Sequence, residues 1–166
     1  MPIENARNSA AKIAIVTGGS RGLGRNTVLN LAKRGVDSIF TYHSNRAEAE
    51  KVTAMVAESG RRAVALELDT GKVAGFDPFV RLVVEALTGL GAERFDYLVN
   101  NAGTSLHKDF RETTEAELDE IYNVHFKGVY FLTQKLLPLI NDGGRIINIS
   151  SGLVGSACRG VPPMRP

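Results

Sequence analysis

A glycine-rich turn lies near the start of the chain, where residues 17–24 read TGGSRGLG. It follows the apolar run Ile13–Val16 and precedes an amphipathic stretch over residues 23–33, so it predicts a strand, a sharp turn and a helix. Glycine at position 18 allows unrestricted backbone angles, and the missing Cβ atoms at positions 22 and 24 leave room for a ligand and for a close strand contact. The free N–H groups and the positive dipole at the start of the helix stabilise an anion. The turn therefore predicts a site for a phosphate group.

The spacing of these glycines limits which ligand the turn would bind. Glycine stands at positions 18, 22 and 24, which differs from the G-x-G-x-x-G of many dinucleotide sites and from the G-x-x-x-x-G-K-[ST] of nucleoside triphosphatases. The lysine of the second motif is missing, which argues against ATP or GTP. A tight structural turn without a ligand is the alternative that the glycines alone leave open.

Polar residues also follow two later apolar runs. Residues 95–99 lead into NNAG at 100–103, and residues 145–149 lead into SSG at 150–152. In a doubly wound parallel sheet the carboxyl ends of the strands face the ligand, so these side chains are candidate site residues. Asn123 stands among apolar neighbours, where an amide is costly unless it is hydrogen-bonded.

The elements that must position these groups follow from the hydrophobic pattern. Apolar runs of strand length alternate with longer amphipathic stretches, which is typical of a parallel sheet covered by helices. The pattern predicts strands near residues 12–17, 36–42, 63–68, 95–100 and 144–150. It predicts helices near residues 22–34, 45–59, 75–89 and 114–140, with C-cap glycines at 35 and 60 and a capping box at 114–117.

The composition fits one globular domain over residues 1–166. It is 43% hydrophobic and 23% charged with a formal net charge of +2, which excludes a disordered chain and a protein that coats nucleic acid. Basic pairs at 33–34 and 61–62 are interpreted as solvated helix ends. No apolar run approaches the ~20 residues of a membrane helix, so we expect no membrane insertion and a cytoplasmic location. The single cysteine, Cys158, predicts no internal disulfide, and no metal-ligand spacing is present.

Four motifs in this order closely resemble those of the short-chain dehydrogenase/reductase family. They are the TGGSRGLG turn, the NNAG sequence, Asn123 in the long helix and the INISSG run at 147–152. The resemblance covers residues 11–158. It implies an α/β fold with a Rossmann-like doubly wound parallel sheet in three layers, incomplete on its C-terminal side with about five strands. It also implies hydride transfer between a nicotinamide cofactor and a small-molecule carbonyl or secondary alcohol.

The end of the second predicted strand favours NADP(H) over NAD(H). In NAD-binding units an Asp or Glu about 20 residues after the glycines binds the ribose 2′-hydroxyl, whereas residues 40–46 read FTYHSNR. Asp37 stands at the start of that strand, on the opposite edge of the sheet. Arg21 could donate charge-assisted hydrogen bonds to a 2′-phosphate, together with three residues across from it, Ser44, Asn45 and Arg46. A solvated arginine is the alternative for Arg46 and a weaker alternative for Arg21.

The remaining cofactor contacts are implied by the resemblance. Asp69, at the end of the third strand, is similar to the family's adenine-contacting Asp, and capping of the following turn is the alternative. His43 is expected to border the adenosine phosphate. The predicted cofactor-binding residues are Thr17, Gly18, Ser20, Arg21, Gly22, Leu23, Gly24, Tyr42, Ser44, Asn45, Arg46, Asp69, Asn101, Ala102 and Gly103.

The resemblance also assigns catalytic groups. In the family a tyrosine transfers the proton, a lysine lowers the pKa of that tyrosine, a serine binds the substrate oxygen and a helix asparagine anchors a water relay. By this resemblance Ser151 is the serine and Asn123 the asparagine. The Tyr-x-x-x-Lys motif would follow the serine by roughly thirteen residues, at Met164, and the sequence ends at Pro166. We therefore expect little or no dehydrogenase activity from this chain.

The other tyrosines and histidines do not replace that motif. Tyrosines 42, 97, 122 and 130 are interpreted as packing residues, and His107 and His125 as surface or half-buried residues. Residues 159–166 read RGVPPMRP and form an aberrant tail, because adjacent prolines cannot continue a helix. A truncation, or a frameshift near Cys158, is the hypothesis that accounts for this tail.

An incomplete sheet has structural consequences. The fifth strand is expected to be an uncovered edge that bears Ile146, Ile147 and Ile149. The apolar face of the last helix is expected to lose a neighbour along Leu118, Ile121, Val129, Leu132 and Leu136.

Two functions stay open on the sequence. The first is an NADP(H)-dependent oxidoreductase by ancestry, and the alternative is a non-catalytic module that binds a dinucleotide or a partner protein. Nucleic acid is not an expected partner, because the chain has no basic helix or aromatic platform. By the resemblance, the family's usual association surface involves the long helix present here and its absent successor, so the oligomeric state stays open and a homo-oligomer is one candidate.

Overall fold

The sheet occupies the middle of the molecule in a computed structural model that describes residues 11–150. Ser151, Cys158 and the tail at 159–166 lie outside the described residues. The strands are β1 (Ile13–Val16), β2 (Asp37–Tyr42), β3 (Ala63–Glu67), β4 (Phe95–Asn100) and β5 (Ile140–Asn148). They pair in the order β3-β2-β1-β4-β5, and each neighbouring pair is parallel. This topology confirms the predicted Rossmann-like fold class.

Helices cover both faces of the sheet. They are α1 (Gly22–Lys33), α2 (Arg46–Glu58), α3 (Phe76–Gly89), α4 (Glu115–Tyr122) and α5 (Gly128–Leu136). Helices α1 and α2 pack on one face and α3 and α5 on the other, so the described residues form three layers. No helix in the described range is both long enough and apolar enough to cross a membrane.

Strand β1 is apolar at every position because both of its faces are buried. Ile13 and Ile15 point into the core under α3, whereas Ala14 and Val16 point into the core under α1 and α2. Because side chains alternate between the faces of a strand, a central strand covered on both faces must be apolar throughout. The strand bounds predicted from this pattern agree within two residues for β1 to β4.

The predicted helix over 114–140 is wrong in two ways. Its middle turn, Asn123–Lys127, is a π-helix that separates α4 from α5, and a short 3₁₀ turn, Leu137–Leu139, ends the helical segment. Strand β5 then begins at Ile140 rather than at 144. Phe95 pairs with Ile140 and Tyr97 with Arg145, so the extra residues between them form a bulge in which Gly143 has φ 76°. The sequence NDGG resembles a turn, and pairing with β4 overrides that local preference.

The expected exposed face of the last helix is also partly wrong. Leu132 and Leu136 are buried in the core under α3, with exposed fractions of 1% and 0%. Leu118 is exposed, as are the β5 residues Ile146 and Ile147 and the following Ile149. Since β5 is an edge strand of the described sheet, those isoleucines lie beside unpaired backbone groups.

The basic pair at 61–62 is not the solvated helix end that its sequence indicates. Asp37 is 1% exposed, and its carboxylate accepts hydrogen bonds from Arg61 Nε at 2.9 Å and from the Arg62 amide at 2.8 Å. Arg62 Nη2 lies 3.3 Å from the same carboxylate and donates to the Leu90 carbonyl at 2.6 Å. The two arginines therefore neutralise a buried charge at the amino edge of the sheet, far from the glycine turn.

Replacing Asp37 tests this buried ion pair. We expect Asp37→Asn to lower the free energy of unfolding by about 2–3 kcal/mol, because two arginines lose their counter-charge while their ends still reach solvent. Urea unfolding followed by far-UV circular dichroism measures the change. The matched control, Asp142→Asn, alters an exposed carboxylate and should shift stability by less than about 0.5 kcal/mol. Equal unfolding midpoints for the two variants would contradict the assignment.

Candidate nucleotide-binding site

A cleft of about 1010 Å³ opens at the carboxyl edge of the sheet. Its volume is at the upper end of the range of small-molecule sites, which is what an extended ligand needs. The structure brings most of the predicted site residues to its wall, namely Gly18, Ser20, Arg21, Gly22, Leu23, Gly24, Tyr42, Ser44, Asn45, Asp69, Asn101, Ala102, Gly103 and Asn123. Thr17 and Arg46 do not line it, and Ser151 is outside the described residues.

Thr17 lies beneath the cleft and joins two strands. It is 2% exposed, and its Oγ1 accepts hydrogen bonds from the amides of Asn101 and Ala102, both at 2.9 Å. Its own amide donates to the Val99 carbonyl at 3.0 Å. The turn after β4 is thus fixed to the end of β1 by one hydroxyl group.

Asn101 reinforces the same connection. Its Nδ2 donates to the carbonyl of Thr17 at 2.9 Å and lies 3.3 Å from that of Gly18. Its donor group therefore holds the glycine turn in place. The preceding residue, Asn100, also links separate elements, because its Nδ2 donates to Asn148 Oδ1 at 2.9 Å and to Thr133 Oγ1 at 3.1 Å.

The second strand fixes the other side of the glycine turn. The Gly18 amide donates to Thr41 Oγ1 at 3.0 Å, and the Gly19 amide donates to the Thr41 carbonyl at 2.8 Å. The turn is therefore held between β2 and β4. Such a rigid turn can present backbone amides to a ligand without reorganising.

Glycine occupies two positions of this turn for different structural reasons. A Cβ on Gly24 would lie 2.5 Å from Asn101 Nδ2 and would also collide with the carbonyl of Gly18, so this position must be glycine for the turn to pack against β4. Gly22 has φ 54°, and a Cβ there would meet no protein atom within 4 Å. The space beside Gly22 therefore belongs to the cleft and not to the protein core.

The first turn of α1 faces that space. Helix α1 begins at Gly22, and its N-cap residue Arg21 has extended backbone and makes no side-chain cap. The first amides of a helix have no partner within the helix, so water or a ligand supplies one. The open space, the uncapped helix start and the 71% exposed Leu23 at its rim fit a pyrophosphate with an apolar contact beside it.

Three residues predicted to bind the 2′-phosphate on the adenosine ribose line one end of the cleft, which we call the ribose end. They are Arg21, Ser44 and Asn45. Asn45 is the N-cap of α2, where its Oδ1 accepts from the Glu48 amide at 3.1 Å. Arg46 turns away instead. Its Nε donates to Glu50 at 2.9 Å and its side chain is 79% exposed, which is the solvated alternative for this residue.

Asp69 caps the turn after β3, beside the end of β2. Its Oδ1 accepts from the Gly71 amide at 2.9 Å, Lys72 Nζ lies 3.1 Å from Oδ2, and His43 Nε2 lies 3.7 Å from Oδ2. Burial alone would raise the pKa of the Asp69 carboxyl, but the hydrogen bonds from Lys72 and from the Gly71 amide outweigh it and lower that pKa. The turn-capping role is therefore present, and a contact with adenine stays a prediction.

The far end of the cleft is formed by the π-helical turn. Asn123 is half-buried there, and its carbonyl accepts a hydrogen bond from the Gly128 amide, five residues on. π-turns within longer helices often mark functional sites. The side chain of Asn123 lines the cleft, and its water-relay role stays a prediction.

His125 is a cleft residue that the sequence did not indicate. Its Nε2 lies 2.7 Å from the Thr104 carbonyl and 3.1 Å from the Thr104 amide, so one tautomer donates to the first and the other accepts from the second. In either form the ring holds the loop after Gly103 against the helix. The contact joins residues 21 positions apart, and no periodic pattern in the sequence predicts it.

Replacing Gly24 tests the close approach in the turn. We expect Gly24→Ala to lower the free energy of unfolding by about 2–3 kcal/mol, because the new methyl group overlaps a backbone carbonyl that Asn101 and Thr17 hold in place. The control is Gly89→Ala, where a Cβ would meet nothing within 4 Å and stability should stay equal or rise by up to about 1 kcal/mol. Thermal unfolding of both variants decides the point, and an unchanged Tm for Gly24→Ala would refute it.

The sequence matches known proteins over most of its length. The family model for short chain dehydrogenase matches residues 12–161. Hydroxynaphthalene reductase-like protein Arp2 of Metarhizium brunneum is 36% identical, over 96% of this chain and 57% of its own length. Tetrahydroxynaphthalene reductase PfmaG of Pestalotiopsis fici is 33% identical, over 94% of this chain and 54% of its own length. The chain thus spans little more than half the length of these relatives.

Solved structures show the same relationship. A blue fluorescent protein from a metagenomic library, in complex with NADPH, is 36% identical with a TM-score of 0.79, over 89% of this chain and 59% of its own. A short chain dehydrogenase from Burkholderia cenocepacia, in complex with NADP, is 34% identical with a TM-score of 0.78, over 88% of this chain and 58% of its own. The family model matches most of the sequence, and the chain belongs to the short-chain dehydrogenase family.

Proposed function

We propose that this chain binds NADP(H) in the cleft at the carboxyl edge of its sheet. The observation that carries the proposal is the uncapped start of α1 beside open space at Gly22, with Arg21 next to it. No carboxylate ends β2, where a dinucleotide site for NAD would place one. The two structural relatives in complex with NADPH and with NADP support the same ligand class.

Each region of the cleft has its own task in this proposal. The amides at the start of α1 hold the pyrophosphate, and Thr17 and Asn101 keep those amides in place from below. Arg21, Ser44 and Asn45 hold the 2′-phosphate, and Arg21 supplies the charge-assisted hydrogen bonds. Asn123 and the loop held by His125 enclose the end where the nicotinamide would lie.

The nicotinamide, when bound, supplies or accepts a hydride. Hydride transfer to or from a small-molecule carbonyl or secondary alcohol is the proposed reaction, in keeping with the reductase names of the fungal relatives. Ser151 would bind the substrate oxygen and Asn123 would anchor the water relay, as the family resemblance implies. A donor placed in advance at the developing oxyanion is the general requirement of such a step.

This polypeptide is proposed to bind without turnover. The tyrosines are at 42, 97, 122 and 130, and none of them is followed four residues later by a lysine. Loss of a general acid typically costs about 10²–10⁴ in rate. The non-catalytic dinucleotide-binding module is therefore the function that this sequence favours, while Asn123 and Ser151 favour an enzyme ancestry.

Three further proposals rest on the sequence. They are a single domain over residues 1–166, a cytoplasmic location and self-association. Exposed apolar side chains on α4, α5 and the π-helical turn between them are consistent with self-association, namely Leu118, Tyr122, Phe126 and Tyr130.

Mixing the purified chain with NADPH tests binding and turnover together. We expect enhanced NADPH fluorescence, because the nicotinamide leaves water, and no loss of NADPH absorbance with a panel of ketones. Oxidation of NADPH that depends on a ketone would overturn the proposal of binding alone, and no fluorescence change together with no calorimetric signal would overturn binding itself.

A substitution of Arg21 tests the preference for the 2′-phosphate. We expect Arg21→Gln to weaken NADP⁺ binding by about tenfold and NAD⁺ binding by less than about threefold, because only NADP⁺ offers a 2′-phosphate to the guanidinium. Isothermal titration calorimetry measures both. Arg34→Gln removes an exposed arginine from the other end of α1 and should leave both affinities unchanged. An equal loss for the two dinucleotides in Arg21→Gln would rule out the assignment.

A further inference from the structure

The ribose end of the cleft contains a carboxylate that the proposed function does not use. Glu48 stands in the first turn of α2 and lines the cleft, whereas Glu50 and Glu58 on the same helix do not. Its amide is held at 3.1 Å by the side chain of Asn45, which is itself one of the predicted 2′-phosphate residues. The backbone of Glu48 is therefore fixed next to the end of the cleft where that phosphate would lie.

Two cations hold this carboxylate as an anion. Lys51 Nζ donates to Oε1 at 2.6 Å, and Arg25 Nη1 lies 4.0 Å from Oε2. The hydrogen bond from Lys51, followed by the charge of Lys51, lowers the pKa of the Glu48 carboxyl, and the charge of Arg25 acts in the same direction. Glu48 is thus a carboxylate whose negative charge is favoured by both of its cationic neighbours.

The ion pair with Glu48 also neutralises the positive charge of Arg25. Arg25 lies on α1 one helical turn after Arg21, so an unpaired Arg25 would add to the positive field around the 2′-phosphate. In the structure it leans toward α2 and pairs with Glu48. An ion pair far from the cleft would not change which ligand binds. Because Glu48 lines the cleft, its charge changes the electrostatic potential inside the cleft.

We propose that Glu48 is a specificity-determining residue that weakens the preference of this cleft for a 2′-phosphorylated nucleotide. It does so by placing an anion at the phosphate end of the cleft and by drawing Arg25 and Lys51 toward itself. A ribose with free hydroxyls carries no charge for Glu48 to repel, whereas a phosphate monoester carries about −1.5 to −2. The inference rests on the proposed binding of NADP(H), and it predicts that the natural protein is less selective for NADP(H) than its arginines alone would make it.

The test compares 2′,5′-ADP with 5′-AMP, which differ only in the 2′-phosphate, by calorimetry on the full chain. We expect Glu48→Gln to raise the ratio of their affinities by about three- to tenfold in low salt, with the gain shrinking at high salt as the charge is screened. Arg25→Gln should lower the same ratio, because it leaves Glu48 less neutralised. Glu58→Gln is the matched control, since it removes the same charge from the far end of α2 and should leave the ratio unchanged.

The outcomes separate this inference from the proposed function. If the unaltered chain binds neither nucleotide and also fails to bind NADP⁺, the proposed function fails and the inference fails with it. If it binds NADP⁺ but not 2′,5′-ADP, only the inference is overturned. If the unaltered chain binds 2′,5′-ADP and Glu48→Gln leaves the ratio unchanged, only the inference is overturned. A purely structural role of Glu48 would weaken both nucleotides alike and would show no dependence of the ratio on salt.

Discussion

The hydroxyl of Thr17 is the contact on which the whole cleft depends. It accepts hydrogen bonds from two consecutive amides in the turn after β4, and the Asn101 side chain donates a hydrogen bond to the Thr17 carbonyl. These bonds connect strands that are neighbours in the sheet and residues that are 84 positions apart in the chain. A buried amide left without its partner would cost about 1–3 kcal/mol, so the two turns are held together as one unit.

The geometry of that unit explains the composition of the glycine turn. Because Asn101 reaches across to the carbonyls of Thr17 and Gly18, the helix that follows must approach closely, and only glycine fits at position 24. The same approach places the start of α1 at the open edge of the sheet, where its free amides meet the cleft. Packing and ligand binding therefore constrain the same few residues, and a phosphate site follows from the way the two strands are joined.

Local patterns in the sequence predict the elements of this fold and much of the cleft wall. Continuous apolar runs define β1 and its neighbours, because strands buried on both faces leave no room for polar residues. Contacts between residues that are distant in the sequence are harder to predict from such local patterns. The pairing of Asp37 with Arg61 and Arg62, and the contact of His125 with Thr104, depend on where separate elements meet. Strand β5 starts early because pairing with β4 overrides the turn-like sequence NDGG.

The residues of the cleft also differ in how well the sequence predicts them. Backbone positions such as those of the three motif glycines follow from spacing, and the structure places all three at the cleft. Arg46 is close in sequence to Ser44 and Asn45, but a helical partner four residues on, Glu50, holds it outside the cleft wall. No motif indicates Glu48, whose amide is held by the N-cap of its own helix and whose carboxylate is held by Lys51. The direction of a side chain in the first turn of a helix depends on capping and pairing, which motif spacing does not determine.

The central claim is that the amides at the start of α1 hold the pyrophosphate of a dinucleotide. The most direct measurement is a nitrogen-15 correlation spectrum of the labelled chain titrated with NADP⁺. We predict that the amide resonances of Gly22, Leu23 and Gly24 shift the most, and that they saturate together with those of Asn101 and Ala102. Saturable binding that leaves the resonances of residues 22–24 unmoved would contradict this claim.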